Sequence, residues 1–302
     1  MIKFAVQILF YNCDQFILRT IANCAAHVDC IFILYSPQPW NAYNRKARSS
    51  FPNKSNPELL KRSPHFEKIQ ILEGIWNTEE EQREHCRQLA KEQGFNFLIV
   101  QDADEFYSPE SYQDNLRVMR EHPDYEVYQT PWINFWKNTK YALVHRSHQG
   151  VKKTILSTCP LFAINLKKPV RFESRRVPRA SGSVYQLPGV CLHLSYVFSD
   201  VDMFSKINTW GHSHQVNKNW FKWKWLAWHP GKRYLNPISS AEWVSAVPYT
   251  GTLPSELADF LNPTHVSISL TWYDRLLEFG ADMFSLSSYQ VKQWRSRMTS
   301  KK

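Results

Sequence analysis

The stretch Phe97-Leu-Ile-Val-Gln-Asp-Ala-Asp-Glu-Phe-Tyr107 governs how the rest of the chain reads. Its first four residues are uniformly apolar, the pattern of a strand buried on both faces. The run then passes directly into Asp102-Ala103-Asp104-Glu105. On an extended chain residues i and i+2 project to the same side, so Asp102 and Asp104 converge at the strand's carboxyl end. That edge is where open α/β sheets bind ligands. Two neighbouring carboxylates repel, and a proton or a cation relieves the repulsion. Hard divalent ions such as Mg²⁺ or Mn²⁺ suit carboxylates and phosphate oxygens. The plainer alternative is that these acids cap a helix beginning near Pro109.

Toward the amino terminus, strand and helix signals alternate. Residues 2–10 read as a buried strand, and Asp14 as the cap of a helix that turns Phe16, Ile17, Ile21 and Cys24 inward. Residues 28–35 read as a second strand. Residues 36–66 hold five prolines among Asn and Ser, a long irregular connection of the kind that tends to be functional. A short strand at 69–72 follows, then a capping box of Thr78 and Glu81, a helix closed by Gly94, and the strand at 95–100. This order predicts an α/β fold with a mostly parallel central sheet. Neither G-x-G-x-x-G nor G-x-x-x-x-G-K-[ST] occurs, which disfavours a dinucleotide fold and a P-loop ATPase.

Composition narrows the class. The 302 residues, 43% hydrophobic and 21% charged, exclude wholesale disorder and fit one large domain or a domain with an extension. No two of the six cysteines form a C-x-x-C pair, and no secretory leader is read, so reduced buried thiols in a cytoplasmic protein are expected. No apolar run approaches the ~18 residues of a membrane span. The net charge is +10, and aromatic residues make up 15% with 12 Trp, a surface suited to carbohydrate, nucleic acid or phosphates. Residues 73–126 carry 14 acids against 5 basic residues, whereas 137–186 carry 11 basic residues and one acid, Glu173. An acidic block beside a basic one fits a site for a metal ion and a polyphosphate together, or two solvated faces.

Three further features, taken with Leu98-Ile-Val-Gln-Asp-Ala-Asp-Glu105, resemble the family 2 glycosyltransferases. They are the opening strand followed by Tyr11-Asn12-x-Asp14, the segment Glu81-Gln82-Arg83-Glu84 before the D-x-D strand, and His193-Leu-Ser-Tyr196 followed by Met203, Lys206, His212 and His214. The resemblance covers roughly residues 1–230. It implies a GT-A-like nucleotide-sugar-binding and catalytic domain there, a Rossmann-type αβα sandwich, with 231–302 as a C-terminal helical or irregular extension packed on it. Two departures stand out. Cys13 takes the place of the usual acid after Tyr-Asn, and the acid that usually closes the second strand and reads the nucleoside is missing, leaving Ser36 or Asn41 for that role.

The implied activity is a metal-dependent, hexosyltransferase-type transfer of sugar from a nucleoside-diphosphate sugar to a glycan, lipid-linked or other hydroxyl acceptor. A divalent cation, Mn²⁺ or Mg²⁺, held by Asp104 with Asp102 and His193 would stabilise charge on the leaving diphosphate. Asp102, Arg83 and Asn12 are the expected donor contacts. An inverting transfer needs a carboxylate base. Glu173 is the first candidate and Glu105 the second, with Asp200 and Asp202 next. The plainer readings are a salt bridge from Glu173 to a neighbouring arginine and a core role for His193. Trp220-Phe-Lys-Trp-Lys-Trp-Leu-Ala-Trp228 suits sugar stacking or a membrane surface, but its i, i+3 tryptophans favour ordinary helix packing. The alternatives in other classes are a basic, aromatic-rich nucleic-acid binder and a metal-dependent phosphatase or nuclease.

Overall fold

The computed structural model describes residues 2–42, 51–146, 153–157 and 160–299. The first half runs β1 (Phe4–Phe10), α1 (Asp14–Ala25), β2 (Cys30–Tyr35), β3 (Ile69–Glu73), α2 (Glu79–Glu92), β4 (Phe97–Val100), β5 (Glu105–Tyr107), α3 (Pro109–Glu121), β6 (Val127–Gln129), β7 (Trp132–Trp136) and β8 (Asn138–Arg146). It continues with β9 (Lys153–Thr154), β10 (Leu161–Asn165), β11 (Arg171–Ser174), β12 (Val177–Arg179), β13 (Val184–Gln186), β14 (Cys191–Tyr196), α4 (Asp200–Thr209), β15 (Trp243–Pro248) and α5 (Trp272–Thr299).

The fold is α/β with a mostly parallel central sheet. Its seven strands lie in the order β13-β6-β10-β4-β1-β2-β3, and only β10 runs antiparallel to its neighbours. Strand alternation sorts the apolar residues onto two faces. Val6, Ile8 and Phe10 of β1 pack with Phe16, Ile17 and Ile21 of α1 on one side. Ala5, Phe32, Leu34, Leu98 and Val100 meet Cys86 and Ala90 of α2 on the other. Thr78 accepts from the Glu81 amide at 3.2 Å, while the Glu81 carboxylate reaches the Asn77 amide at 2.8 Å, one residue earlier than a strict capping box. Asp14 does not cap α1; Cys13 holds the cap position, and Asp14 accepts from the Asn56 amide at 3.1 Å instead. Cys13, Cys24, Cys30, Cys86 and Cys191 are free and buried, and Cys159 lies outside the described residues.

A second sheet, β15-β8-β7-β14-β5 with β9 beside β8, stands next to the first. Residues 231–302 contribute β15 to it, so the carboxyl-terminal part shares hydrogen bonds with the core. No described helix is long and apolar enough to cross a membrane.

The tryptophan-rich segment packs inward, but by a different spacing from the i, i+3 pairs expected. Phe221–Leu226 is a π-helix, closed by the Ala227 amide on the Lys222 carbonyl at 3.1 Å. An i→i+5 ladder brings residues five apart onto one side. Trp220 and Trp225 are thus both fully buried, against Trp136 at 6.0 and 5.2 Å between ring centroids. The Trp225 indole donates to Asp200 at 2.7 Å. Trp225→Ala should cost about 3–5 kcal/mol of stability in urea unfolding; a loss under ~1 kcal/mol would mean that this cluster does not hold the second sheet to α4.

Candidate active site

The carboxyl end of β4 opens into a cleft of about 470 Å³. Asp102 and Asp104 line it together with Arg83, Asn12 and His193, but across a turn closed by the Glu105 amide on the Asp102 carbonyl at 3.0 Å rather than by alternation on an extended strand. β5 continues directly from the D-A-D-E segment and pairs antiparallel with β14, Glu105 opposite His193. The Leu194 amide donates to the Asp104 carbonyl at 2.7 Å. One backbone ladder therefore sets the acidic segment against the histidine strand.

Each carboxylate has its own cation. Arg83, fully buried on α2, donates to Asp102 Oδ1 at 2.8 Å and to Glu79 at 2.9 Å. Arg176 donates to Asp102 Oδ2 at 3.0 Å, to both oxygens of Glu105, and to the carbonyls of Val100 and Leu161. Burial alone would raise the Asp102 carboxyl, but Arg83 and Arg176 outweigh it and hold it below the ordinary value. Lys206 of α4 donates to Asp104 Oδ2 at 2.7 Å and to Ser195 Oγ at 2.9 Å. Against the same burial penalty, Lys206 and His193 keep Asp104 well below the usual carboxylate range.

A relay orients His193. The half-buried His145 ring is pushed down to about 4 by desolvation, so it is neutral and can accept from Asn134 Nδ2 at 3.2 Å. The Asn134 carbonyl oxygen then faces His193 Nδ1 at 2.6 Å, which places that ring's proton on Nδ1. Nε2 is turned toward Asp104 Oδ1, 3.5 Å away. A protonated ring pairs with Asp104 directly, whereas a neutral ring and the carboxylate together offer the nitrogen and oxygen donors that suit a divalent ion. Asp102 fits less well, because both its oxygens already serve arginines. Among the described residues no group of three or more His, Cys, Asp or Glu side chains could hold a metal ion.

The two carboxylates first considered as the base lie elsewhere. Glu173 is not among the residues lining the cleft. On β11 its neighbour Phe172 is buried, so Glu173 turns outward to Arg179 at 3.2 Å. Glu105 is fully buried and clamped by Arg176. Asp200 is engaged by His265, the Val266 amide and Trp225. Asp202 lines the cleft and is exposed, one helical turn before Lys206 on α4.

Asn12 adopts φ 50° and accepts from the Lys54 amide at 2.6 Å, so its side chain fastens residues 51–56 beside the cleft. Ser36 lines the cleft, with its hydroxyl donated to the Gln38 carbonyl at 2.7 Å, and Asn41 does not line it. Trp40 also lines it, and its indole donates to Gln82 at 2.9 Å. His212 meets Arg175 in the turn after α4 rather than lying on a helix.

Arg176 went unassigned in the sequence. It follows Arg175, which sits at φ 53° in the turn between β11 and β12. Helix α2 pins that hairpin through Glu84 on the Phe172 amide and Glu80 on the Arg175 amide, both at 3.1 Å. Trp132 then lies between Arg176, 5.1 Å from its ring centroid, and His193, 4.2 Å between centroids.

Burial pushes the Glu105 carboxyl up even with Arg176 opposing it. A carboxyl whose folded pKa is raised stabilises the fold below its unfolded pKa and loses that contribution as pH rises through the folded one. Arg176→Met should therefore cost about 3–5 kcal/mol near pH 7. The deficit should be smaller at an acidic pH than at pH 7, as Glu105 takes up a proton, and adding Glu105→Gln should recover much of it. Urea melts at both pH values read this, and equal deficits would refute the pairing.

No family model and no curated protein matches the chain. Among solved structures, a protein assigned as a nucleotide-diphospho-sugar transferase from Desulfovibrio desulfuricans aligns over 67% of this chain and 85% of its own, at 12% identity and TM-score 0.39. Residues 1–349 of TarS from S. aureus align over 75% of this chain and 71% of that fragment, and TarS itself is covered over 43%, at 10% identity and TM-score 0.39. Mannose-1-phosphate geranyltransferase from Thermus thermophilus aligns over 49% of this chain, which spans 46% of that protein, at 13% identity and TM-score 0.31. Likenesses of this size carry no residue-level meaning.

Proposed function

We propose that the chain transfers a sugar from a nucleoside-diphosphate sugar to a hydroxyl acceptor, with inversion. The observation that carries this reading is the convergence, at the carboxyl end of β4, of Asp102 and Asp104 with Arg83, Arg176, Lys206 and His193 around one cleft. A leaving diphosphate needs positive groups fixed in advance, and such groups act most strongly where water is excluded. Lys206 is placed to share its ammonium protons between Asp104 and a phosphate oxygen. Arg83 and Arg176 hold Asp102 ionised, so that it can accept from a ribose hydroxyl. Trp40 offers a flat ring for the base. Asp104 and His193 would hold a divalent cation, which supplies Lewis-acid stabilisation when bound. Two protein ligands leave its other positions to phosphate oxygens and water.

Calorimetry with a panel of nucleoside diphosphates tests the donor site. Affinity should rise at least ~10-fold with Mn²⁺, and Asp104→Asn should abolish that increment while the fold persists. Nucleotide affinity indifferent to both would remove the reading.

For the base we propose Asp202. It is exposed in the cleft, and it lies on the helix that brings Lys206 to Asp104. A base must reach the acceptor hydroxyl from the side away from the diphosphate. Asp202→Asn should leave nucleotide binding unchanged and slow turnover of the donor, with water as surrogate acceptor, by ~100-fold or more. Undiminished turnover would place the base elsewhere.

A further inference from the structure

The carboxyl-terminal helix α5 has 28 residues, about 42 Å of length. One side is tied to the body. Asp274 takes Lys222 at 2.7 Å, Glu278 takes Lys224 at 2.8 Å and Lys232 at 3.1 Å, Asp282 takes Lys224 at 2.6 Å, and Ser285 accepts from the Ala241 amide at 3.2 Å. These are the only three acids of the helix, and all face inward.

The other side is apolar and open. Trp272, Leu276, Phe279 and Met283 recur at i, i+4, i+7 and i+11 and are exposed, and Tyr273, Phe284 and Trp294 widen the face. Trp272 and Phe284 are each 77% exposed. An apolar face this wide exceeds the narrow seam of a helix pair, and its heptad spacing lasts only about two repeats, short of the 3–4 that a coiled coil sustains. Charge points the same way. From residue 283 onward the sequence carries Lys292, Arg295, Arg297, Lys301 and Lys302 and no acid, within a chain of net charge +10. A negatively charged lipid surface suits both this apolar face and the acid-free, basic composition of the end of the sequence, with Trp272, Tyr273 and Trp294 at headgroup depth.

We propose that α5 is an interfacial helix that lays its open face on an anionic phospholipid bilayer. The inference does not depend on the proposed chemistry, because lipid binding is read without donor or acceptor. The full chain should be sedimented with phosphatidylcholine vesicles, with and without phosphatidylglycerol. Partitioning should be at least ~10-fold stronger on the anionic vesicles and should weaken with added salt. The triple variant Trp272→Ser, Phe279→Ser, Phe284→Ser should lose ~10-fold or more of that binding while keeping the wild-type melting temperature, since all three side chains are exposed. Equal partitioning on both vesicles, or a variant that binds like wild type, overturns the proposal. So does a wild-type dimer in light scattering that the variant abolishes, which would assign the face to a second copy.

Discussion

Three carboxylates from one short segment, Asp102, Asp104 and Glu105, are crowded at the end of a buried strand, and their repulsion has to be met from outside that segment. Bringing them out of water is costly unless each finds a charged partner with good hydrogen bonds. The partners come from three elements far apart in sequence: Arg83 on α2, Arg176 in the β11–β12 turn and Lys206 on α4. Helix, hairpin and helix are thereby drawn to one point. The cleft is the space left between them.

The strand and its acids could be read because both signals are local: a run of apolar residues, then a cluster of acids. The positions of β1, α1, β2, α2 and β4 follow from equally local patterns. Which basic residue answers which acid could not be read, since Arg176 lies far along the chain from Asp102 and Glu105. The choice between Glu173 and Arg176 turns on strand register. One position of slip exchanges the inward and outward faces. Here a shift in the pairing between Phe172 and Ser174, followed by Arg175 at positive φ, sends Arg176 in and Glu173 out. Charge composition alone made Glu173 conspicuous as the sole acid in a basic block, but an isolated acid among arginines is also what a solvated ion pair looks like.

The tryptophan segment shows the same limit in a helix. Packing was legible from the density of large apolar rings. The pairing was not, because an i→i+5 ladder is rare and leaves no composition signal. In the cleft wall after β2, the contact of Trp40 with Gln82 spans two elements, and no local pattern announces it.

The hydrogen bonds that set Glu105 opposite His193 join two strands separated by the whole excursion from α3 through β13. Everything the chain does between them must return β14 to the same register, or Leu192 or Leu194 would replace His193 at the cleft. Connections that stay outside this ladder are free to lengthen, shorten or diverge, since lengthening a surface loop costs little. Variation among descendants of this chain should accordingly accumulate in the connections of that excursion, while the short ladder keeps the acidic segment and its histidine in step.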